Sequence, residues 1–162
     1  MERINWILKH PLYISSYNHL ENMEKNRIFC CHQIPHLLDV ARIAYIRNLE
    51  EQLGLDKEII YAASLLHDIG KGRQYAEKIP HEIASAEIAN KILSSMPEHL
   101  AFTYDEQQMI LSAIRNHRKP VSSATLDKLL YESDKASRNC FCCPASKECN
   151  WSPKKKNKEI HC

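Results

Sequence analysis

The sequence contains little of what strands, tight phosphate-binding loops and membrane spans require. Its 162 residues include only three glycines, at positions 54, 70 and 72, and only two residues each of valine and threonine. Valine and threonine favour strands and glycine favours hairpin turns, so this composition disfavours a β fold. Three glycines also exclude a GxGxxG or P-loop phosphate cradle, so any phosphate chemistry must use side chains or metal ions.

Long apolar runs and a strong net charge are absent as well. The longest nearly apolar run, residues 59–66, includes Ser64 and is far shorter than the roughly 20 residues of a transmembrane helix. The N-terminal residues, MERINWILKHPLY, contain no signal-peptide core, so we expect a cytoplasmic protein. A net charge of +2 marks neither a membrane-surface binder nor a clear nucleic-acid partner.

Cysteine and histidine, by contrast, are abundant. Seven cysteines form an odd set in a chain without a secretion signal, which favours reduced thiols or metal ligands over disulfides. Nine histidines is a high number for this length. Histidine is the commonest metal ligand and titrates near neutral pH, so the positions of these residues indicate the chemistry.

Hydrophobic periodicity predicts an all-α bundle of about six helices over residues 1–138. The predicted helices cover residues 16–28 with Ser16 as N-cap, 35–53 before Gly54, 59–66 after an Asp56 cap, 81–96, a fifth from an Asp105 cap to before Pro120, and a sixth from a Ser122 or Ser123 cap through Tyr131. Residues 59–66 lack a polar face, so this helix should be buried on several sides. Residues 139–162 are predicted to form an irregular cysteine-rich extension packed on the domain.

Six imidazole and carboxylate groups fall on inward faces or at the ends of these helices: His36, His67, Asp68, His81, His117 and Asp134. A single histidine on an apolar face is more often a hydrogen-bonded core residue than a ligand. Six such groups facing one interior are harder to explain that way, because each would be costly to bury without a partner. A shared metal cluster would satisfy all six, and imidazole with carboxylate suits Fe, Mn or Zn.

The segment LLHDIGK at residues 65–71 resembles the signature of the HD-domain metal-dependent phosphohydrolases. The other elements recur in order as His36 before Val40-Ala41, His81 with Ser85-Ala86, His117 after Ala113-Ile114-Arg115, and Asp134-Lys135. The order is similar to the two-metal branch, and most like the small bacterial hydrolases that cleave symmetrical diadenosine tetraphosphate. The resemblance covers about residues 30–138. Ser133 stands where that subgroup usually has alanine, and the N-terminal helix and cysteine-rich tail are additional.

The resemblance implies a compact HD-domain helical bundle that hydrolyses a nucleotide-like phosphate ester or anhydride. It implies that His36, His67, Asp68 and Asp134 hold one divalent ion, and that His81 and His117 complete a second with Asp68 bridging. Fe, Mn or a similar metal would then supply a bound hydroxide to attack phosphorus. Lys71 would act beside Asp68 by contacting the phosphate or steadying the nucleophile; without the resemblance it would read as a solvated cation.

Further basic residues are candidate substrate contacts. Arg115 and Arg118 flank His117 and could grip a polyphosphate, although a solvated face explains each equally well. Arg27 and His32 could line a recognition wall above the metals, although ordinary pairing along a surface helix also explains Arg27.

The tail carries a second candidate metal site. Cys140 and Cys143, spaced as C-x-x-C, with Cys149 six residues further on, resemble part of a structural zinc or iron–sulfur site. The missing ligand would be Cys142, Cys162, His161 or the Cys30-Cys31 pair. Reduced cysteines without metal remain an equal alternative, because one C-x-x-C is only half of the strong pattern.

Three other functions fit parts of the sequence. A one-metal HD 5′-nucleotidase would share the fold but bind one ion. A nucleotide-binding sensor would keep the metal site without turnover. An interaction protein would depend on its cysteine-rich tail and not on Asp68.

Overall fold

The computed structural model describes residues 1–119 and 124–160, and the regular elements in that part of the chain are all helical. The α-helices are α1 Glu2–Lys9, α2 Pro11–Glu24, α3 Ile34–Glu50, α4 Lys57–Leu66, α5 Lys71–Glu77, α6 His81–Ser94, α7 Tyr104–Asn116 and α8 Thr125–Ala136, followed by a 3-10 turn at Cys140–Cys142. The all-α fold class is confirmed. Two helices, α1 and α5, are additional to the six that periodicity predicts.

Helix α4 forms the centre of the bundle. It packs against α1, α3, α6, α7 and α8, and every residue from Ile59 to Leu66 except Tyr61 is buried. The Asp56 side chain caps it by accepting hydrogen bonds from the backbone amides of Glu58 and Ile59. Burial on several sides is therefore confirmed for this helix. Its C-terminal end, at Leu66, lies buried in the interior of the bundle.

Two helix starts differ from the predicted ones. Ser16 lies inside α2, because His10 Nδ1 accepts from the amide of Leu12 and a proline occupies the first turn. Helix α7 is capped by Thr103, whose side chain forms a reciprocal capping box with Glu106, so Asp105 lies in the first turn. In both cases a residue earlier in the chain, six residues before Ser16 and two before Asp105, caps the helix instead.

The last predicted helix is present as α8, and Ala124 is its N-cap. The predicted caps Ser122 and Ser123 lie outside the described residues. At their other ends, α2 stops at Glu24 and α3 at Glu50, each earlier than predicted. Gly54 still occupies a turn with positive φ, at 71°, in the loop before α4.

The turn between α4 and α5 is held against α6. The Gly70 amide donates to Ser85 Oγ at 2.8 Å, and a Cβ added at Gly70 would lie 2.3 Å from the Ser85 backbone nitrogen. Only glycine permits this approach. Helix α5 was not predicted, because its seven residues, KGRQYAE, lack an apolar stripe. Lys71 consequently opens a helix and does not lie in a loop.

The C-terminal segment packs against the bundle and is not confined to the surface. Cys140 and Ala145 are buried, and Asn157 Nδ2 donates to the backbone oxygen of Ala136 at the end of α8. Apart from the short 3-10 turn, residues 139–160 contain no regular helix or strand. The proposed boundary at residues 138/139 stays a prediction. No helix among the described residues is long and apolar enough to cross a membrane.

Candidate metal centre

The six predicted ligands lie together at the centre of the bundle. His36 lies in the first turn of α3 and Asp134 in α8, while His67 and Asp68 directly follow α4. His81 is the first residue of α6, and His117 directly follows α7. Each of the six is at most 9 % exposed. Helix ends thus supply four of the six donors.

The donors form two sets whose ligand atoms lie within 4.8 Å of one another. One set is His36, His67, Asp68 and Asp134, and the other is Asp68, His81 and His117. They are the two sets that the sequence resemblance implies, with Asp68 shared between them. In the described part of the chain, no further set of three or more such residues meets this criterion.

Backbone carbonyls fix the orientation of two imidazoles. His67 Nδ1 donates to the oxygen of Ser64 at 2.6 Å, and His117 Nδ1 donates to the oxygen of Ile114 at 2.7 Å. In each neutral ring Nε2 therefore carries a lone pair, which faces Asp68 at 3.2 Å for His67 and 3.7 Å for His117.

Ser137 orients a third ring. Its hydroxyl donates to the backbone oxygen of Asp134 at 2.8 Å, so its oxygen accepts from His36 Nδ1 at 3.1 Å. Nε2 of His36 is left facing the carboxylates. Such partners, which bond the other nitrogen of a ligand ring, are typical of metal-binding histidines.

When the rings are neutral, several nitrogen and carboxylate lone pairs of the site face one another. His67 Nε2 and Asp68 Oδ1 are buried and make no hydrogen bond. His81 Nε2 lies 3.0 Å from His117 Nε2 and 3.2 Å from Asp68 Oδ1. Lone pairs converging at these distances require a cation between them, either a proton or a metal. The donor set of imidazole and carboxylate fits a divalent transition metal.

The pKa shifts reflect the same charge arrangement. Burial alone would raise the pKa values of Asp68 and Asp134, but the surrounding histidines and Arg138 hold both well below the ordinary range. Burial opposes protonation of His67, but Asp68 and Asp134 together outweigh it and raise its pKa to about 9. Burial lowers the pKa of His117 to about 3. Both carboxylates are therefore ionised, as metal ligands must be.

Arg138 is a site residue that the sequence analysis missed. Its Nη2 donates to Asp134 Oδ1 at 2.9 Å and to His36 Nε2 at 3.0 Å, and lies 3.9 Å from Asp68 Oδ2. The side chain is buried. The i,i+4 spacing from Asp134 was the available signal, but Arg138 lies beyond the end of α8, where periodicity no longer applies.

A cavity of about 410 Å³ adjoins the centre. It is lined by Arg27, Phe29, Cys30, His32, Lys71, Arg138, Cys140, Cys143, Ser146, Glu148, Cys149, Asn150, Trp151 and Lys156. Three of the predicted substrate contacts, Arg27, His32 and Lys71, are thus on its wall. Lys71 Nζ also approaches His81 Nδ1 at 3.5 Å, and burial lowers the lysine pKa.

His32 belongs to a buried hydrogen-bond network beside the metal ligands. Its backbone amide and its Nδ1 both contact the carboxylate of Glu24, at 2.7 and 2.5 Å, and Tyr75 donates to the same carboxylate at 2.8 Å. Burial lowers the pKa of His32 to about 4. His32 Nε2 lies 3.9 Å from Asp68 Oδ2, so the network supports the centre from the side of α2.

The structure does not bring Arg115 and Arg118 to this cavity. Arg115 is exposed and is absent from the cavity wall. Arg118 is also exposed and pairs with Glu82 at 3.2 Å. Arg118 instead lines a second, more open groove beside the C-terminal segment. Contact of these two arginines with a substrate stays a prediction.

The tail cysteines lie on the wall of the same cavity, together with Cys30. Cys142 is exposed and Cys140 is buried. No three of the described cysteine sulfurs lie within 4.8 Å of one another. The alternative ligands His161 and Cys162 lie outside the described residues.

Comparison with known proteins places this geometry in a family. The family model of the HD domain matches residues 34–144, which are more than half of the chain. An "Uncharacterized protein" of Clostridium beijerinckii is 44% identical over 161 residues, covering 99% of each chain. Ribonuclease Y of Clostridium kluyveri is 27% identical over 124 residues, which are 76% of this chain and 21% of that protein.

Ribonuclease Y of Clostridium perfringens strain SM101 is 29% identical over 100 residues, which are 62% of this chain and 17% of that protein. The chain thus spans about a fifth of the length of these ribonucleases. No solved structure matches the chain significantly. The extent of the domain match and the ordered set of inward histidines and aspartates show that the chain belongs to the HD-domain family.

Proposed function

We propose that this protein is a metal-dependent phosphohydrolase that acts on a nucleotide-like phosphate ester or anhydride. The observation that carries the proposal is the pair of donor sets joined at Asp68, with His67 Nε2 and Asp68 Oδ1 buried and lacking hydrogen bonds. Membership of the HD-domain family supports it. Bound divalent ions would activate a water molecule and neutralise phosphate oxygens.

The chain itself orients the donors and binds the phosphate. Ser64, Ile114 and Ser137 hold three imidazole rings with Nε2 directed inward. Lys71 and Arg138 lie beside the donors and line the cavity, so they are placed to bind phosphate oxygens. Arginine suits this role because its guanidinium can form two parallel hydrogen bonds to a phosphate.

The cavity fits a nucleotide in size and chemistry. Its volume of about 410 Å³ lies within the usual range of small-molecule sites. Four cationic side chains, Arg27, Lys71, Arg138 and Lys156, share its wall with the aromatic rings of Phe29 and Trp151. Cations suit a di- or polyphosphate, and aromatic rings suit stacking with a base. A dinucleoside polyphosphate is the finer substrate that we propose.

A specific feature favours a second candidate, a phosphodiesterase acting on RNA. An open groove of about 980 Å³ is lined by Arg47, Arg118, Lys135 and the basic run at residues 154–158, together with three glutamates. Lys135 Nζ contacts Asp134 Oδ2 at 2.5 Å, so the groove reaches the metal centre. The partial likeness to ribonuclease Y agrees with this candidate.

A substrate panel distinguishes these functions. We would load the full chain with Mn²⁺, Fe²⁺ or Co²⁺ and offer diadenosine tetraphosphate, deoxynucleoside monophosphates and a short single-stranded RNA. The proposal predicts hydrolysis of a nucleotide substrate by the wild type and none above background by Asp68→Asn. Asp39→Asn is the matched control, because Asp39 is a half-buried carboxylate on α3 that lies outside both donor sets and pairs with Arg42 at 3.9 Å. Because Asp68 belongs to both donor sets, Asp68→Asn should weaken metal binding by more than about 10–100-fold. That range is typical for the loss of a residue that only hydrogen-bonds a metal ligand.

Several outcomes would point elsewhere. About one ion per chain, with deoxynucleoside monophosphates as substrates, would indicate the one-metal nucleotidase. Nucleotide binding without phosphate release under every metal would indicate a sensor. Full activity in Asp68→Asn would overturn the proposed function altogether.

A further inference from the structure

Four cysteines from two distant segments belong to the wall of one cavity. Cys30 comes from the loop between α2 and α3, whereas Cys140, Cys143 and Cys149 come from the C-terminal segment. More than 100 residues separate the first from the other three. The fold therefore brings a fourth cysteine to the same cavity wall as the three tail cysteines.

We propose that Cys30, Cys140, Cys143 and Cys149 together hold a zinc ion or an iron–sulfur cluster as four thiolate ligands. Four cysteines complete either kind of centre, and structural zinc sites are closed by four protein ligands. A C-x-x-C pair supplies two adjacent ligands from a short loop, as the 3-10 turn at Cys140–Cys142 and the following Cys143 do here. This site shares the wall of the cavity that we propose for substrate, but its ligands differ from the six donors of the phosphohydrolase centre, so its test does not depend on the proposed function.

The wall of this cavity also carries positive charge. Arg27, Lys71, Arg138 and Lys156 line the same cavity and would offset the negative charge of four thiolates. Arg27 Nε also donates to the backbone oxygen of Cys30 at 3.0 Å. Because no three sulfurs lie within 4.8 Å of one another, binding requires rotation of the cysteine side chains toward a common point.

The remaining described cysteines differ from these four. Cys31 Sγ donates to the oxygen of Phe29 and Cys142 Sγ to that of Asn139, each at 3.6 Å. Neither lines the cavity. Each is the chain neighbour of a proposed ligand, so the sequence itself offers matched controls.

A metal at this position would fix the wall of the active-site cavity. Arg138 precedes Cys140 by two residues and contacts Asp134 and His36. Joining Cys30 to the tail would therefore hold the loop before α3, the end of α8 and Arg138 in one arrangement. The site would act as a structural clamp and not in the reaction.

Metal analysis of the full chain tests this site. The protein would be purified without oxygen in an Asp68→Asn background, which removes the ions of the other centre, and assayed for zinc, iron and acid-labile sulfide. We expect about one zinc ion released by a thiol-reactive mercurial, or iron with sulfide and visible absorption. Cys31→Ser and Cys142→Ser should keep this metal, and Cys30→Ser and Cys143→Ser should lose it.

An alkylation experiment on the unsubstituted protein guards against variants that fail to fold. Cys31 and Cys142 should react with iodoacetamide, while the four proposed ligands should be protected until the metal is removed. Absence of thiol-bound metal, retention of metal by Cys30→Ser, or equal labelling of all six described cysteines would overturn the proposal. None of these results depends on phosphatase activity, so failure here is distinguishable from failure of the proposed function.

Discussion

At the candidate metal centre, three of the four imidazole rings owe their orientation to a neighbour outside the donor sets. Ser64 and Ile114 accept hydrogen bonds through their backbone oxygens, and Ser137 accepts through its hydroxyl. These bonds fix which ring nitrogen is available for metal, because a carbonyl can only accept. The side chains of the centre are thus organised before any ion binds.

Arg138→Gln should raise KM for the substrate by about 10–100-fold, because a charge-assisted hydrogen bond contributes roughly 1.5–3 kcal/mol. Steady-state kinetics with the metal content measured in parallel would check this, since Arg138 also contacts Asp134. Arg115→Gln is the control, because Arg115 is exposed and does not line the cavity. A larger KM effect for Arg115→Gln would show that substrate binds elsewhere.

His32 should make the metal-free protein sensitive to acid. Its pKa is about 4 in the folded protein, against about 6.5 for an unperturbed histidine. The unfolded chain therefore binds the proton first, and the free energy of unfolding falls as the pH drops from about 6.5 toward 4, by at most about 1.4 kcal/mol per pH unit for this group. His67, with its pKa raised to about 9, loses stabilisation as the pH rises from about 6.5 through 9.

Urea unfolding at pH 7, 6 and 5 in the presence of a chelator would measure how the free energy of unfolding changes with pH. His32→Gln should reduce this dependence and leave the part due to His117, whose pKa is also lowered, to about 3. His99→Gln should not reduce it, because His99 is exposed. Identical slopes in the wild type and His32→Gln would contradict the assignment.

At the scale of elements, the site depends on where helices end. Four donors lie at or just beyond the ends of α4, α6 and α7, and the turn after α4 is pressed against α6 through Gly70 and Ser85. This contact sets the distance between Asp68 and His81, which is 3.2 Å between Oδ1 and Nε2. The packing distance between helices therefore sets the distance between the candidate ligands at their ends.

Gly70→Ala should destabilise the fold by about 1–3 kcal/mol and weaken metal binding, because the added Cβ would meet backbone atoms of Ala84 and Ser85 at 2.6 and 2.3 Å. Denaturant unfolding and metal titration would measure the two effects. Gly54→Asn is the comparison, since Gly54 has a positive φ but no atom within 4 Å of an added Cβ, and asparagine tolerates that conformation. Equal unfolding curves for Gly70→Ala and the wild type would contradict the packing described for this turn.

At the scale of the whole molecule, metal binding at the candidate centre would join distant parts of the chain. The donors extend from His36 to Asp134 and come from α3, α6, α8 and the ends of α4 and α7. Ions held by these donors would not be bound by the unfolded chain, so their binding free energy would add to stability. The C-terminal segment adds a further connection through Asn157 and the end of α8.

Divalent metal should raise the Tm of the wild type by about 5–10 °C at a metal concentration about 100-fold above Kd. Binding at that ratio stabilises by about 2.7 kcal/mol, and each kcal/mol shifts Tm by about 2–4 °C in a chain of this size. Differential scanning fluorimetry with Mn²⁺ would measure the shift. Asp68→Asn should show little change, and an equal shift in that variant would place the stabilising ion elsewhere.

The sequence by itself determined the all-α class, the central buried helix and the identity of the six inward donors. Helical periodicity and the ordered His, His-Asp, His, His, Asp pattern are local signals, which do not depend on how helices pack. Helix α5 and the starts of α2 and α7 escaped prediction, because a short polar helix has no apolar stripe and several adjacent residues can cap equally well.

Only the tertiary structure decided which other residues join the site. Arg138 and Cys30 have no periodic relation to the donors, yet folding places Arg138 against Asp134 and His36 and places Cys30 on one cavity wall with three tail cysteines. It also directs Arg115 and Arg118 away from that cavity. The reason is that residues outside regular helices take their positions from packing between segments, and packing distances are not encoded in the spacing along the chain.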